Sequence, residues 1–493
     1  MLAVSAPAWA DDRPIVEAVA PYFTVYSVLS EKETRQYVSS LDALYRLLAA
    51  ATGNAQATSA GALHIYLLSR ADWEHFWGRE SWEQGATVGA GPFAADVLIP
   101  VASPYGDPYG YSLAALGRRI ALTHCAAGCM PWFDQALVEF ARTAAVFPDR
   151  IEIRVPAWYV QWLQTSNWMP AERFYGTRYD DLSYLERRMP SGFYAQAWLL
   201  MHYAYMGNPE FLRKIAIYGA RIHEGVKPSA ALPAMLGNGE FDLGTKEYGK
   251  QPAFKTGTIH TRALSDAELQ VRTLSRVAAA RELTALGLRT SVSSKRNSMF
   301  NRVSRGLPDD PWLLAYSAQM VSEALTKSYA AKRDEIAALE RRIESLAQPY
   351  DAEVPAALAE AHVTIGAKHA WDTDGTAAQI ADAAQVRAAR QEFERALQLD
   401  ANHLESLAGY ALTCRLLKEC LDDAAARLQH GLAVAPLSWG IVKAEAELLR
   451  ALGKNNEADG YWALLARMSP DADGRRYALK QTRAYAERIP VVP

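Results

Sequence analysis

Two stretches near the end of the chain are Ala424-Ala425-Ala426-Arg427-Leu428-Gln429-His430-Gly431-Leu432-Ala433-Val434-Ala435-Pro436 and Ala458-Asp459-Gly460-Tyr461-Trp462-Ala463-Leu464-Leu465-Ala466-Arg467-Met468-Ser469-Pro470. They place matching residues at matching positions. Ala424, Leu428, Gly431 and Pro436 return 34 residues later as Ala458, Trp462, Leu465 and Pro470. Ala389, Phe393, Ala396 and Ala401 precede them at the same internal spacing, offset by one residue. Fainter units end at Pro308, with Phe300 eight residues before it, and at Pro349, after the charged run 332–346. This makes about five units, the third interrupted by an insertion around residues 372–381. A helical hairpin cannot bury its apolar face alone, so neighbouring hairpins must stack into one continuous core. Residues 473–488 read as a polar capping helix.

A period of 34 residues resembles the tetratricopeptide repeat. The resemblance implies an all-α superhelix over residues 262–493, with a concave peptide groove. Cys414 and Cys420 fall where the two helices of one hairpin meet, so a disulfide there would pin the turn. Cys125 and Cys129 are the other sequence-local pair. Four cysteines allow three connectivities, and the sequence does not choose among them. Zinc held by all four is disfavoured, because the pairs lie far apart and lack C-x2-C spacing.

Residues 22–28, 64–68 and 95–99 read as strands, and residues 31–51 as an amphipathic helix. Residues 54–61 and 104–111 read as loops, with a helix starting near Ser112. Residues 112–248 are mainly helical: 113–123, 132–143, 194–206 and 209–218 carry helical apolar spacing, around one strand at 151–155. The expectation is an α+β front domain over residues 11–255, with a boundary in 251–261, ahead of the all-α domain.

Within that front half, Arg118-Arg119-Ile120-Ala121-Leu122-Thr123-His124 and Pro131-Trp132-Phe133-Asp134-Gln135-Ala136-Leu137-Val138-Glu139-Phe140 resemble the core of the peptidase MA-like (gluzincin) family. In that family an H-E-x-x-H helix is followed by a W-F-x-E-G-L-A-E-Y-like helix. Gly192-Phe193-Tyr194-Ala195-Gln196-Ala197-Trp198-Leu199-Leu200-Met201-His202-Tyr203 looks like its F-Y-x-Q-[SA]-W helix. The resemblance covers most of residues 20–250 and implies a gluzincin-like fold.

The departures from that pattern fall on the chemistry. Two histidines at i and i+4 can grip zinc, and the intervening Glu serves as base for a metal-bound water. Here Ile120 stands at the first His and Ala121 at the Glu; only His124 survives. Gln135, a poor ligand, stands where the family's third ligand falls. His124 and Glu139 read as a core pair rather than a metal site. The expectation is therefore a pseudo-peptidase with no catalytic residue, no metal and no cofactor. The alternatives are an active metal-dependent peptidase with a non-standard site built on His124 and Glu139, and a tetratricopeptide adaptor whose front domain is an inert spacer.

Replacement chemistry is not visible in the sequence. There is no G-x-S-x-G elbow and no G-x-x-x-x-G-K-[ST] loop, and Gly237, Gly239 and Gly244 lack the strand-then-helix context of a phosphate loop. Asp180 and Asp181 precede the helical run 183–188 that holds Glu186, where acids are ordinary capping. The basic stretch 289–305, with Lys295, Arg296 and Arg302, has no aromatic platform for bases beyond Phe300 and reads as a solvated loop. Trp158, Trp162 and Trp168, with Tyr159, read as core aromatics of which an exposed subset would line a cleft.

The 493 residues carry 52 Lys plus Arg against 55 Asp plus Glu, a net charge of −3, with 50% hydrophobic and 22% charged residues. That balance gives no overall attraction to nucleic acid or anionic lipid. The longest apolar run, 194–206, is broken by Gln196 and His202 and is too short to span a membrane. Met1 to Ala10 looks like the end of a secretory signal, with Ala8 and Ala10 in the small-x-small pattern and cleavage after Ala10. A periplasmic or secreted protein that binds a protein or peptide partner is the expectation.

Overall fold

Apolar side chains alternating along residues 23–27, followed by a 21-residue amphipathic stretch, build a strand-helix-strand crossover. The computed structural model describes residues 14–52, 63–69, 86–91, 94–100, 109–124, 130–165, 168–178, 181, 184, 189–224, 226–236, 240–290, 300, 304, 307–324, 326–346, 350–368, 379–469 and 472–483. Here β1 (Val16–Val19) pairs antiparallel with β2 (Phe23–Ser27), and α1 (Glu31–Ala51) carries the chain to β3 (Leu63–Leu68), parallel to β2. Ser30 starts α1 by accepting from the Glu33 N–H, while the Glu33 carboxylate accepts from the Ser30 N–H. This reciprocal capping satisfies two amides that the helix itself cannot. With β4 (Ala86–Gly91) and β5 (Ala94–Pro100), the sheet reads β4-β5-β3-β2-β1-β9, where β9 is Gln270–Thr273.

The helical part of the same unit begins with α2 (Tyr109–His124) and α3 (Pro131–Thr143). The helix thus starts three residues before the expected Ser112. Next come β6 (Ala145–Val146), β7 (Arg150–Ile153), α4 (Ala157–Thr165), α5 (Ala171–Gly176) and α6 (Ser191–His202). The expected helix through Met206 widens at its end into a π turn, Tyr203–Gly207, closed by the Asn208 N–H on the Tyr203 carbonyl. Asn208 then caps α7 (Pro209–His223), followed by α8 (Pro228–Leu236) and α9 (Glu240–Gly249).

The expected boundary at 251–261 lies inside this unit. β8 (Gly257–His260) pairs antiparallel with β7 in the three-stranded sheet β6-β7-β8, and β9 pairs antiparallel with β1. Both strands are short and mostly exposed, so they carry no apolar signal; ladder hydrogen bonds hold them. An Arg272–Glu17 ion pair ties β9 to β1. One compact unit comprises Met1–Gly89, Ala95–Leu274 and Arg467–Ala472, and the other comprises Ala90–Ala94, Ser275–Ala466 and Asp473–Pro493. An α+β unit is therefore followed by an all-α one, and the change falls at Leu274.

The second unit runs α10 (Arg276–Thr290), α11 (Pro311–Glu323), α12 (Tyr329–Ser345), α13 (Glu353–Gly366), α14 (Ala383–Leu399), α15 (Leu404–Leu417), α16 (Leu421–Val434), α17 (Trp439–Ala451), α18 (Asn455–Met468) and α19 (Ala472–Lys480). From α11 to α17 successive helices pack together. The alternate helices α11, α13, α15 and α17 also touch in a row. The insertion around 372–381 is closed at its base by β10 (Ala367–Lys368) paired antiparallel with β11 (Gln379–Ile380). The periodic residues Ala389, Phe393 and Ala396 of α14, Ala424, Leu428 and Gly431 of α16, and Ala458, Trp462 and Leu465 of α18 are all buried. Cys414 and Cys420 form a disulfide across the turn between α15 and α16, and the Cys125/Cys129 pair lies outside the described residues.

Gly409 on α15 meets the ring of Phe393 on α14 so closely that an added Cβ would lie 2.2 Å from it. Phe393 is fully buried and has nowhere to retreat. Gly409→Ala is expected to destabilise the helical unit by roughly 1–3 kcal/mol through overpacking, read as a lower denaturation midpoint by circular dichroism.

Candidate functional site

The helices that carry the peptidase-like motif, α2 and α3, come together almost backbone to backbone. At Gly117 an added Cβ would sit 2.8 Å from the Leu137 carbonyl oxygen. One turn along α2, Ile120 and Ala121 are each 0% exposed and belong to the same core as Trp132, Phe133, Ala136 and Leu137 of α3. At these two positions the interface between α2 and α3 is hydrocarbon, which neither coordinates an ion nor takes a proton. His124 closes α2, and its side chain lies outside the described residues.

The two polar positions of α3 are engaged separately. Gln135 is half-buried, and its amide donates to the Tyr184 hydroxyl at 3.2 Å. Glu139 is 5% exposed and accepts from the Tyr159 hydroxyl of α4 at 2.6 Å. Burial pushes the Glu139 carboxyl above its ordinary range, against the lowering pull of the Tyr159 hydrogen bond. Burial, with the adjoining Glu139, also drives the Tyr159 hydroxyl far up, so it stays a donor at neutral pH. The expected pairing of Glu139 with His124 falls outside the described residues.

The third motif helix, α6, serves architecture. Gln196 accepts from the Met169 N–H at 3.0 Å and donates to the Met169 carbonyl at 3.2 Å, clamping the segment that leads into α5. His202 is fully buried, lies tilted against Trp198 with ring centroids 4.6 Å apart, and meets the Tyr248 hydroxyl at Nδ1, 3.1 Å away. Burial pulls its pKa down to about 4, so the ring is neutral at neutral pH.

Other sequence candidates resolve plainly. Asp181 accepts from the Arg178 N–H at 2.8 Å and so closes a local turn, while Asp180 and Glu186 lie outside the described residues. Trp162 packs on Gly192 and Trp168 on Gly249, leaving Trp158, 56% exposed, as the exposed member of the aromatic set. Lys295, Arg296 and Arg302 lie outside the described residues.

A polar cluster on the row of alternate helices has no counterpart in the spacing of the sequence. Glu353 at the start of α13, with His403 and Glu405 at the start of α15, bring their ligand atoms within 4.8 Å of one another. His403 Nε2 faces Glu353 Oε1 at 3.4 Å, and its Nδ1 contacts the Ser406 hydroxyl at 2.8 Å. Glu360, one turn or two farther along α13, accepts from Gln319 of α11 at 2.6 Å. Burial and the charges of Glu405, Glu353 and Glu323 push its carboxyl well up. Acids at helix starts are ordinary capping, and only the packing of α11, α13 and α15 brings these together.

No family model, no curated protein and no solved structure matches the chain.

Tyr159→Phe would leave the buried Glu139 carboxyl without its donor. The substitution is expected to cost about 1–3 kcal/mol and to lower the thermal midpoint of the α+β unit, measured by calorimetry. The deficit should shrink in acid, where a protonated Glu139 no longer buries a charge.

Proposed function

We propose that the protein is a secreted, non-catalytic binding protein, in which a gluzincin-like α+β unit has lost its zinc chemistry and a tetratricopeptide array takes up a protein or peptide partner. The observation that carries this reading is the apolar closure of α2 on α3 at Gly117, Ile120 and Ala121. A metallopeptidase needs a polar gap between those helices, with imidazoles and a carboxylate converging on it. Gln135 and Glu139 do not repair the loss, since each is committed to a tyrosine hydroxyl.

Burial of the periodic residues between stacked helices supports the tetratricopeptide reading. The row α11-α13-α15 carries Glu323, Glu353, Glu360 and Glu405, so a positively charged peptide segment is its better complement. The Cys414–Cys420 bridge supports an oxidising compartment, periplasmic or extracellular, because such bonds rarely persist in a reducing cytosol. No described helix is long and apolar enough to cross a membrane.

Elemental analysis of protein purified without chelator and re-equilibrated with zinc is expected to find less than about 0.1 equivalent of bound metal in the α+β unit, since catalytic zinc sites hold their ion through purification. Close to one equivalent, abolished by replacing His124, would establish the non-standard peptidase instead. A library of basic and acidic peptides presented to the full chain should enrich basic ones. Loss of that enrichment in Glu405→Gln would place the contact on the helical row.

A further inference from the structure

His362, in the middle of α13, is 7% exposed and presents both ring nitrogens to acceptors on two other helices. Its Nε2 lies 2.5 Å from Glu340 Oε1 on α12, and its Nδ1 lies 2.7 Å from Gln385 Oε1 on α14. A neutral imidazole carries one N–H and can donate in one direction only, whereas an imidazolium donates in both. We propose that His362 is a proton-operated strut: in its protonated form it ties α12 and α14 together through α13, and on losing its proton it releases one of the two.

The charged surroundings favour that proton. Glu340 from α12 and Glu392 from α14 act on the ring, and Glu344 and Arg395 in turn act on Glu392. These four line one small cleft above Ile343, Val354 and Leu358. Three carboxylates thus stand against one guanidinium. On the remaining neighbours, β10 carries only the exposed Lys368, while Gln319 of α11 and Glu405 of α15 are directed at Glu360, about 200° around α13 from His362. Burial alone would depress the ring's pKa, but Glu340 and Gln385 outweigh it, and the net direction is up from 6.5. Burial also raises Glu392, with Arg395 opposing and Glu340 reinforcing.

A ring whose folded pKa exceeds its unfolded one contributes its full stabilisation below the unfolded value and loses it as pH rises through the folded value. The strut is therefore engaged in mildly acidic medium and lets go on the alkaline side of 6.5. Without its positive charge the ring holds Glu340 only through a weaker bond, and this loosens α12, which buries little beyond Ile336 and Ile343 and rests on its neighbours by a narrow apolar edge. The device acts on the helical unit whatever that unit binds, so it does not depend on the proposed function.

Two measurements on the full-length protein test it. In the first, histidine ring carbons are labelled and followed by NMR from about pH 5 to pH 8.5. The His362 signal is identified by its loss in His362→Gln or, should that variant not fold, by its selective shift in Glu340→Gln. It is expected to titrate above 6.5 and to move upward again in Gln385→Glu, which adds a second carboxylate. In the second, amide exchange across Tyr329–Ser345, corrected for intrinsic base catalysis, should quicken several-fold over that range in the wild type but not in Glu340→Gln. Titration at or below 6.5, or exchange in α12 that ignores both pH and the substitution, would overturn the proposal.

Discussion

The contact on which the α+β unit depends is the near-backbone approach of α2 and α3 at Gly117. Helices pack 8–10 Å apart according to the side chains between them, and glycine permits the closest approach. The next turn is closed by hydrocarbon, with Ile120 and Ala121 both fully buried. The same closeness fixes where α3 must run and hence where Trp132 and Phe133 enter the core. It also decides what the face cannot do: a buried ion needs several polar donors in place, and donors need room.

The helical unit uses the opposite strategy. Its elements are individually weak, because a single amphipathic hairpin leaves half its apolar surface in water. Stability comes from repetition, with a small residue and a large one alternating so that each helix seats in the next. Ala389 and Phe393, Ala424 and Leu428, and Ala458 and Trp462 make this pairing three times. Polar groups then adjust how firmly neighbours hold: Glu360 with Gln319, His403 with Glu353, and His362 with Glu340 and Gln385 all bridge between helices.

Much of this architecture was legible because burial imposes a period. The helix Glu31–Ala51 and the strands near residues 23–27, 63–68 and 94–100 follow their apolar patterns, and the 34-residue recurrence marks the buried face of α14, α16 and α18. β8 and β9 were not legible. Gly257-Thr258-Ile259-His260 and Gln270-Val271-Arg272-Thr273 are held by backbone ladders that any composition can form. The π turn was hidden for a related reason, since apolar spacing continues through Tyr203–Gly207 while the backbone widens. The burial of Ile120 and Ala121 accords with the helical apolar spacing of residues 113–123. Tyr159 as the partner of Glu139, and Glu353, His403 and Glu405 as a group, arise from contacts between separate helices, which one-dimensional spacing does not encode.

The late return of the chain to the front sheets has a consequence for how the protein divides. β9 covers the open side of β1, and β8 covers that of β7, although both follow every helix of the unit. A polypeptide that stopped at Lys255 would keep all the helices and most of the core yet leave two sheets with bare rows of amide and carbonyl groups. Such edges recruit strands from other molecules. The last strands of the unit thus become its sheet edges in place of the more buried β1 and β7, and they are short, polar and largely exposed; a shortened front half would be sticky before it was unstable.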